Sequence, residues 1–198
     1  MSYTWLKDEG GVIQVDLGKD TPQGFKRTGM LNRPPQVLLA AAEKLESNTR
    51  SRRIPELLED LRRRRPNKAQ ELTCDPSNDK LYQASYEHPQ HMATCESCDP
   101  ARLVRRPERF RNDPVVHYGL IASGNQVMKH APNRERLKEE LGILCFEMEG
   151  AGLMNDFPCI VIRGICDYSD SHKNKRWQLY AAVVAAAYAK ELLENIEP

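Results

Sequence analysis

The chain has 198 residues, which is enough for one domain with a sizeable core. Its 29 basic and 28 acidic side chains leave a formal charge of +1, so no overall field attracts nucleic acid or an anionic membrane. No apolar run approaches the roughly 20 residues that span a bilayer, and the start of the chain has neither an apolar signal core nor a basic leader. We therefore predict a cytoplasmic protein that recognises its ligand locally.

The first 112 residues are predicted to be mostly irregular, with glycines punctuating the first thirty positions. Val12 to Val15 is a candidate strand. Apolar side chains then recur at helical spacing, which predicts helices over about 35–47 and 52–64. Residues 67–113 are polar and broken by prolines, so we expect a long surface excursion there.

The run Arg62 to Arg65 at the end of the second predicted helix allows a nucleic-acid interpretation. Acidic side chains stand beside it at Glu56, Glu59 and Asp60, and the ordinary explanation is a solvated helix end. We therefore predict no nucleic-acid partner.

Six cysteines are present, three of them inside apolar runs where a thiol acts as a small buried hydrophobe. The others, Cys74, Cys95 and Cys98, lie in the polar stretch near His88 and His91 and are suitable ligand types for tetrahedral zinc. One CxxC without a second pair is also a common accident, so reduced surface thiols are the simpler interpretation. No metal is assigned from the sequence.

The second half of the chain alternates apolar runs with helical segments, a pattern typical of strands that are buried on both faces by crossover helices. This pattern predicts an α/β core. The expected strands are 115–122, 143–146 and 157–165, and the expected helices are 134–141, 149–155 and 177–196.

Ligands of open α/β sheets bind beyond the carboxyl ends of the strands. Three such ends carry polar groups, at residues 123–128, 146–150 and 166–170. A single acidic residue after a strand more often caps a helix. Two acidic strand ends facing a turn of small residues indicate a shared cleft for a polyhydroxylated or proton-accepting ligand.

Residues 115–195 resemble the superfamily of purine nucleoside phosphorylases and methylthioadenosine/S-adenosylhomocysteine nucleosidases, most closely the version in filamentous fungi. The resemblance is carried by three segments: VHYGLIASG at 116–124, FEMEGAG at 146–152 and VIRGICD at 161–167. Residues 10–36 look like the fungal version too. The implied fold is α/β, with a phosphorylase/hydrolase-like mixed sheet that is flanked by helices and incomplete on its N-terminal side, in a single partial domain over 1–198.

The resemblance also implies roles for individual residues. Glu149 matches the carboxylate that accepts the ribose hydroxyls, and Met148 matches the thioether that packs on the sugar. Asp167 matches the catalytic general acid at purine N7, a role that a raised pKa would favour. Val127 and Met128 fall in the base-binding loop. The expected substrate-binding residues are Ser123, Gly124, Val127, Met128, Phe146, Glu147, Met148, Glu149 and Cys166.

Two departures from the family pattern bear on activity. Cys166 stands where the family usually has serine, a better hydrogen-bond donor to the aspartate. The family's N-terminal strands and glycine-rich phosphate or water site have no counterpart before Gly10. We therefore expect a homo-oligomer or a completing chain, because unpaired sheet edges invite pairing.

Two functions remain open on this evidence. The complete domain would be an enzyme that cleaves the N-glycosidic bond of a purine nucleoside or nucleotide, with no cofactor and with phosphate as a possible co-substrate. The alternative is a catalytically depleted module that senses nucleosides for a larger signalling protein. Phosphorolysis cannot be separated from hydrolysis by the residues present.

Overall fold

The structure is a computed structural model that describes residues 10–48, 53–109, 112–173 and 175–196. These residues contain five strands: β1 (Val12–Gln14), β2 (Gly18–Thr21), β3 (Gly24–Arg27), β4 (Leu120–Ser123) and β5 (Ile143–Glu147). They also contain five α-helices: α1 (Gln36–Ser47), α2 (Ile54–Arg64), α3 (Ala131–Leu141), α4 (Gly150–Leu153) and α5 (Gln178–Glu194).

A parallel sheet in the order β1-β4-β5 forms the centre of the fold, and β2 and β3 make a separate antiparallel hairpin. Parallel neighbours need crossover connections, and α3 provides one between β4 and β5. Helix α3 ends at Gly142, whose φ of 68° is left-handed and suits glycine at a helix end. The architecture confirms the predicted α/β class with helices flanking the sheet.

Apolar side chains from the two halves of the chain form the core. Ile13, Ala122 and Ile143 from the three strands pack with Leu137 of α3. Helices α1, α2 and α5 pack together in a second cluster that is rich in alanine, leucine and tyrosine. The first half of the chain therefore belongs to the same core as the second, because β1 lies at one edge of the sheet and α2 packs on α5.

Each predicted helix is present, within a few residues of its expected bounds except α4, which is a single turn. The predicted strand at Val12 is confirmed, whereas the short hairpin β2-β3 was not foreseen. No helix in the described ranges has both the length and the apolar character needed to cross a membrane.

Two predicted strands differ from the structure. The strand expected over 115–122 begins only at Leu120, and the one expected over 157–165 has no regular secondary structure. Their apolar side chains Val116, Tyr118, Ile160 and Ile162 pack instead against the helical cluster. An apolar run shows that a segment will be buried, but a strand also needs a neighbour for its backbone hydrogen bonds.

The 66–109 segment consists of irregular chain, four 3₁₀ turns and an isolated bridge between Tyr82 and Leu103. It does not run over the surface throughout, since Leu72, Tyr82 and Cys98 are buried.

The arginine run at the end of α2 is paired within its own neighbourhood. Arg62 donates to the carbonyl oxygen of Leu72 at 3.0 and 2.9 Å, and Arg63 and Arg64 pair with Asp60. These contacts favour the structural interpretation of the run.

Candidate active site

A cleft of about 380 Å³ lies along β5 and beside the segment that follows β4. It lies in the size range of small-molecule sites, which is about 300–1,000 Å³. Seven of the residues expected at the site line this cleft: Val127, Met128, Phe146, Glu147, Met148, Cys166 and Asp167. The fold therefore brings together three segments that are far apart in the sequence.

Glu147 is only 4% exposed, and its carboxylate caps the start of α4. Oε2 accepts hydrogen bonds from the backbone N–H groups of Glu149 at 2.9 Å and Gly150 at 2.7 Å. Oε1 is also buried and has no hydrogen-bond partner among the described residues. A buried carboxylate oxygen without a partner is costly.

Ser123 and Gly124 do not line the cleft, although they stand at the end of β4. Ser123 is fully buried, and its Oγ accepts a hydrogen bond from the backbone N–H of Ala151 at 2.9 Å. The backbone N–H of Gly124 donates to the carbonyl oxygen of Glu147 at 3.2 Å. Both residues thus fix α4 and the end of β5 relative to β4.

Glu149 also lies outside the set of residues that line the cleft. Its side chain is 65% exposed and forms an ion pair with Arg163, with 3.6 Å between Oε2 and Nη1. Arg163 does line the cleft, so the carboxylate of Glu149 contacts a residue of the cleft wall although Glu149 itself does not line the cleft.

Three polar groups contact the carboxylate of Asp167. The backbone N–H of Ser169 donates to Oδ1 at 2.9 Å, the Cys166 thiol donates to Oδ2 at 3.5 Å, and Nζ of Lys173 lies 3.3 Å from Oδ2. Burial, together with the neighbouring Asp167 carboxylate, raises the pKa of Cys166, which therefore remains a protonated donor at neutral pH. The cysteine that replaces serine still contacts the aspartate.

The turn that carries Asp167 is held from two sides. Arg134 of α3 donates to the carbonyl oxygen of Tyr168 at 2.6 Å and pairs with Asp170 at 3.6 Å. On the other side, the Tyr168 hydroxyl donates to Asp79 in the irregular segment. Ser169 has a φ of 53°, which is uncommon outside glycine and persists where surrounding contacts enforce it.

Asp79 is the centre of that second anchor. It also pairs with Arg106 at 2.9 Å and Arg109 at 3.2 Å. Burial disfavours the ionised form of Asp79, but the hydrogen bonds from Arg106 and Tyr168 outweigh it and lower the pKa of this carboxyl. Burial and the bond to Asp79 raise the pKa of Tyr168 to about 12.

Three basic residues around the site had no functional role in the sequence analysis: Arg134, Arg163 and Lys173. Arg163 lies in the VIRGICD segment that carries the family resemblance, but the resemblance assigned it no role. Arg134 lies in a predicted helix rich in charged residues, which is typical of a solvent-exposed helix. Lys173 follows the turn that carries Asp167, and the structure buries its neighbour His172 and directs Lys173 to Asp167. The spacing of these residues in the sequence does not predict their contacts with the carboxylates, because only the folded turns bring them together.

Comparison with known proteins identifies the family of the chain. Residues 69–195 match the model of the Phosphorylase superfamily, and the chain belongs to that superfamily. No solved structure matches the chain significantly.

Similar proteins share only part of their own length with this chain. The chain is 47% identical over 197 residues to a nucleotide-binding leucine-rich repeat (NLR)-like protein of Hyaloscypha variabilis, covering 96% of this chain and 19% of that protein. It is 33% identical over 85 residues to the 5'-methylthioadenosine/S-adenosylhomocysteine nucleosidases of Mycobacterium bovis and Mycobacterium tuberculosis, covering 40% of this chain and 33% of each nucleosidase. The matched region is therefore a minor part of each of these relatives.

Proposed function

We propose that the cleft binds a purine nucleoside and that the domain cleaves its N-glycosidic bond. The proposal rests mainly on the position of Asp167 in a cleft whose other walls carry apolar side chains from Val127, Met128 and Phe146. Apolar walls suit a planar heterocycle, and the Asp167 carboxyl group can supply directional recognition at its edge. Membership of the superfamily and the likeness to the nucleosidases support the same substrate class.

The proposed reaction breaks the bond between C1' of the sugar and N9 of the purine. The bonding electron pair passes to the base, which takes a proton at N7 from the Asp167 carboxyl group. Water then bonds to C1' and the proton that it releases returns to the Asp167 carboxylate, or phosphate bonds to C1' and the carboxylate takes its proton back from solvent. Protonation of the leaving base by a positioned acid contributes about 10²–10⁴-fold to reactions of this kind.

Lys173, Ser169 and Cys166 are positioning residues in this scheme, because they orient the carboxyl group through the contacts described above. Glu149 would receive the ribose hydroxyls by exchanging its ion pair with Arg163 for hydrogen bonds to the sugar. A carboxylate can accept two hydroxyl protons at once, which suits a vicinal diol.

The test is to incubate the purified chain with adenosine, inosine, guanosine and methylthioadenosine, with and without phosphate, and to measure released base. We expect release from at least one of them, reduced by about 100-fold or more in Asp167→Asn. Asp156→Asn is the matched control, because Asp156 is an exposed aspartate that does not line the cleft, and its substitution should leave the rate unchanged. Undiminished release by Asp167→Asn would exclude the proposed acid.

A sensing module is the second candidate function. It is favoured by the likeness to an NLR-like protein, in which the matched region is only 19% of the length. A module of this kind would bind a purine nucleoside without releasing base. Calorimetric titration of the same nucleosides distinguishes the two, since binding without turnover supports sensing and neither binding nor turnover contradicts both.

We also propose that a second chain, either an identical copy or a completing partner, pairs with the sheet. Strands β1 and β5 are the outer strands of the sheet in the described residues. Exposed strand edges are ready templates for pairing. Light scattering coupled to size-exclusion chromatography tests this, and a monomer at all concentrations would contradict self-pairing.

A further inference from the structure

Three potential metal ligands meet in the irregular segment, away from the cleft. One ligand atom each from His88, Cys95 and Cys98 lies within 4.8 Å of the other two. The histidine and Cys95 are partly buried and Cys98 is buried. The sequence contained one CxxC and nearby histidines, but it did not show that His88 folds back onto the two thiols.

Local structure prepares these side chains for coordination. The 3₁₀ turn Cys95–Ser97 is closed by a hydrogen bond from the backbone N–H of Cys98 to the carbonyl oxygen of Cys95 at 3.2 Å, so the thiols share one side of the turn. Nε2 of His88 lies 3.2 Å from the carbonyl oxygen of Thr94. A carbonyl can only accept, so a hydrogen bond here is donated by Nε2 and leaves Nδ1 as the nitrogen that is available to a metal. Metal-binding histidines commonly donate their other N–H in this way.

His172 supplies a second, independent observation. It is 5% exposed, and its Nε2 is buried without a hydrogen-bond partner in the described part of the chain. Its ring packs edge-on to His88 with 5.4 Å between centroids, while its Nδ1 faces Asp170 at 4.0 Å. The unpartnered Nε2 of His172 is therefore a nitrogen available to a metal, while Asp170 lies near the other ring nitrogen but beyond hydrogen-bond distance.

We propose that His88, Cys95, Cys98 and His172 bind a structural zinc ion. Two thiolates and two imidazoles form a common closed zinc site, with four protein ligands and no open position for chemistry. Zinc–sulfur bonds of about 2.3 Å in a tetrahedron place ligand atoms roughly 3.8 Å apart, so His88, Cys95 and Cys98 need to close by at most about 1 Å, whereas His172 lies outside this group and must approach further. A tetrahedral site containing two sulfurs selects zinc over hard cations such as magnesium.

The zinc ion would tie the irregular segment to the turn of the candidate active site. His172 follows Asp167 by a few residues, and the two segments already touch. The backbone N–H of His88 donates to Oγ of Ser171 at 2.9 Å, and the Cys95 thiol donates to the carbonyl oxygen of His172 at 3.7 Å. Binding of zinc would therefore hold the turn in place without touching a substrate.

The first measurement is the metal content of the untagged full chain, purified without chelator and determined by inductively coupled plasma mass spectrometry. We expect about one zinc per chain, and at least a tenfold lower content in Cys95→Ser and in Cys98→Ser. Cys74→Ser is the matched control, since this half-buried cysteine lies outside the cluster and should keep its zinc. Wild-type chain that neither contains zinc nor takes it up on dialysis would overturn the proposal.

Cobalt substitution tests the ligand set without relying on activity. The cobalt form should show the strong visible bands of tetrahedral coordination with thiolate charge transfer, and His172→Ala should change them. Unchanged bands in that variant would remove His172 from the site. Thiol titration of the metal-free chain under denaturing conditions adds a further check, because a disulfide between Cys95 and Cys98 in the native protein would contradict the proposal.

Discussion

The carboxylate of Glu149 is largely exposed, so its ion pair with Arg163 contributes little to the stability of the fold. If it grips the ribose, Glu149→Gln should weaken nucleoside binding by about 10–100-fold, because hydrogen bonds to a charged group contribute roughly 1.5–3 kcal/mol. Calorimetric titration with a nucleoside and its 2',3'-dideoxy analogue measures this. The wild-type chain should prefer the diol, and the variant should lose that preference. Equal preference in both proteins would contradict the role.

The residues around the cleft were largely predictable because each follows an apolar run, and strand ends converge on one side of a parallel sheet. What could not be predicted is the division of labour among them. Ser123 and Glu147 look like ligand-binding residues in the sequence, yet both hold α4 through its backbone N–H groups. Capping and ligand binding use the same residue types, so only coordinates separate them.

The segment from Phe157 to Asp167 brings the catalytic candidate to the cleft, and Gly164 sets how closely it approaches α5. A Cβ atom at Gly164 would lie 2.0 Å from the carbonyl oxygen of Ala181, a backbone atom that cannot turn aside. Gly164→Ala should therefore lower the free energy of unfolding by about 1–3 kcal/mol, the usual cost of overpacking.

Denaturant unfolding checks this expectation, with Gly152→Ala as the control. A Cβ at Gly152 in α4 meets nothing within 4 Å, so that change should be neutral or stabilise by up to about 1 kcal/mol through helix propensity. Equal effects of the two substitutions would show that the contact with α5 is not tight.

The contact between the irregular segment and the site turn depends on Asp79. Because its pKa in the folded chain lies below the ordinary 3.8, its stabilisation is fully present above that pH. It is lost as the pH falls through the lower folded value. Asp79→Asn should cost about 1–3 kcal/mol at neutral pH, since Arg106 and Tyr168 lose a charged acceptor. The unfolding free energies of variant and wild type should converge under strongly acidic conditions, and a constant difference would contradict this account.

Helix positions followed from the spacing of apolar residues, which is a local property that a sequence displays directly. The strands fared differently. Residues 143–147 form a strand because β4 lies beside them, whereas the equally apolar 157–165 segment packs on α5 without a ladder. Strand formation depends on a distant partner, and no pattern within the segment itself reports whether that partner is in place.

On the scale of the whole molecule, the packing between the sheet side and the helical side is loose. A cavity of about 960 Å³, mostly apolar and partly open to solvent, is lined by the 114–119 and 160–166 segments, by Asp167, which also lines the smaller cleft, and by α5. Protein interiors usually contain few voids larger than a water molecule. Both segments that were predicted as longer strands line this cavity. The absent strand hydrogen bonds and the loose packing therefore occur in the same part of the molecule.

Filling that cavity should stabilise the chain. Ala185 of α5 lines it and is half-buried, so Ala185→Leu adds apolar atoms where space exists and should raise the free energy of unfolding by about 0.5–2 kcal/mol. Ala186→Leu on the same helix is the matched control, because Ala186 is exposed and outside the cavity, and its effect should stay within about 0.5 kcal/mol. Thermal and urea unfolding of the three proteins measure both changes. A loss of stability in Ala185→Leu would mean that the cavity is closed in solution, since the added side chain would then meet atoms already in contact.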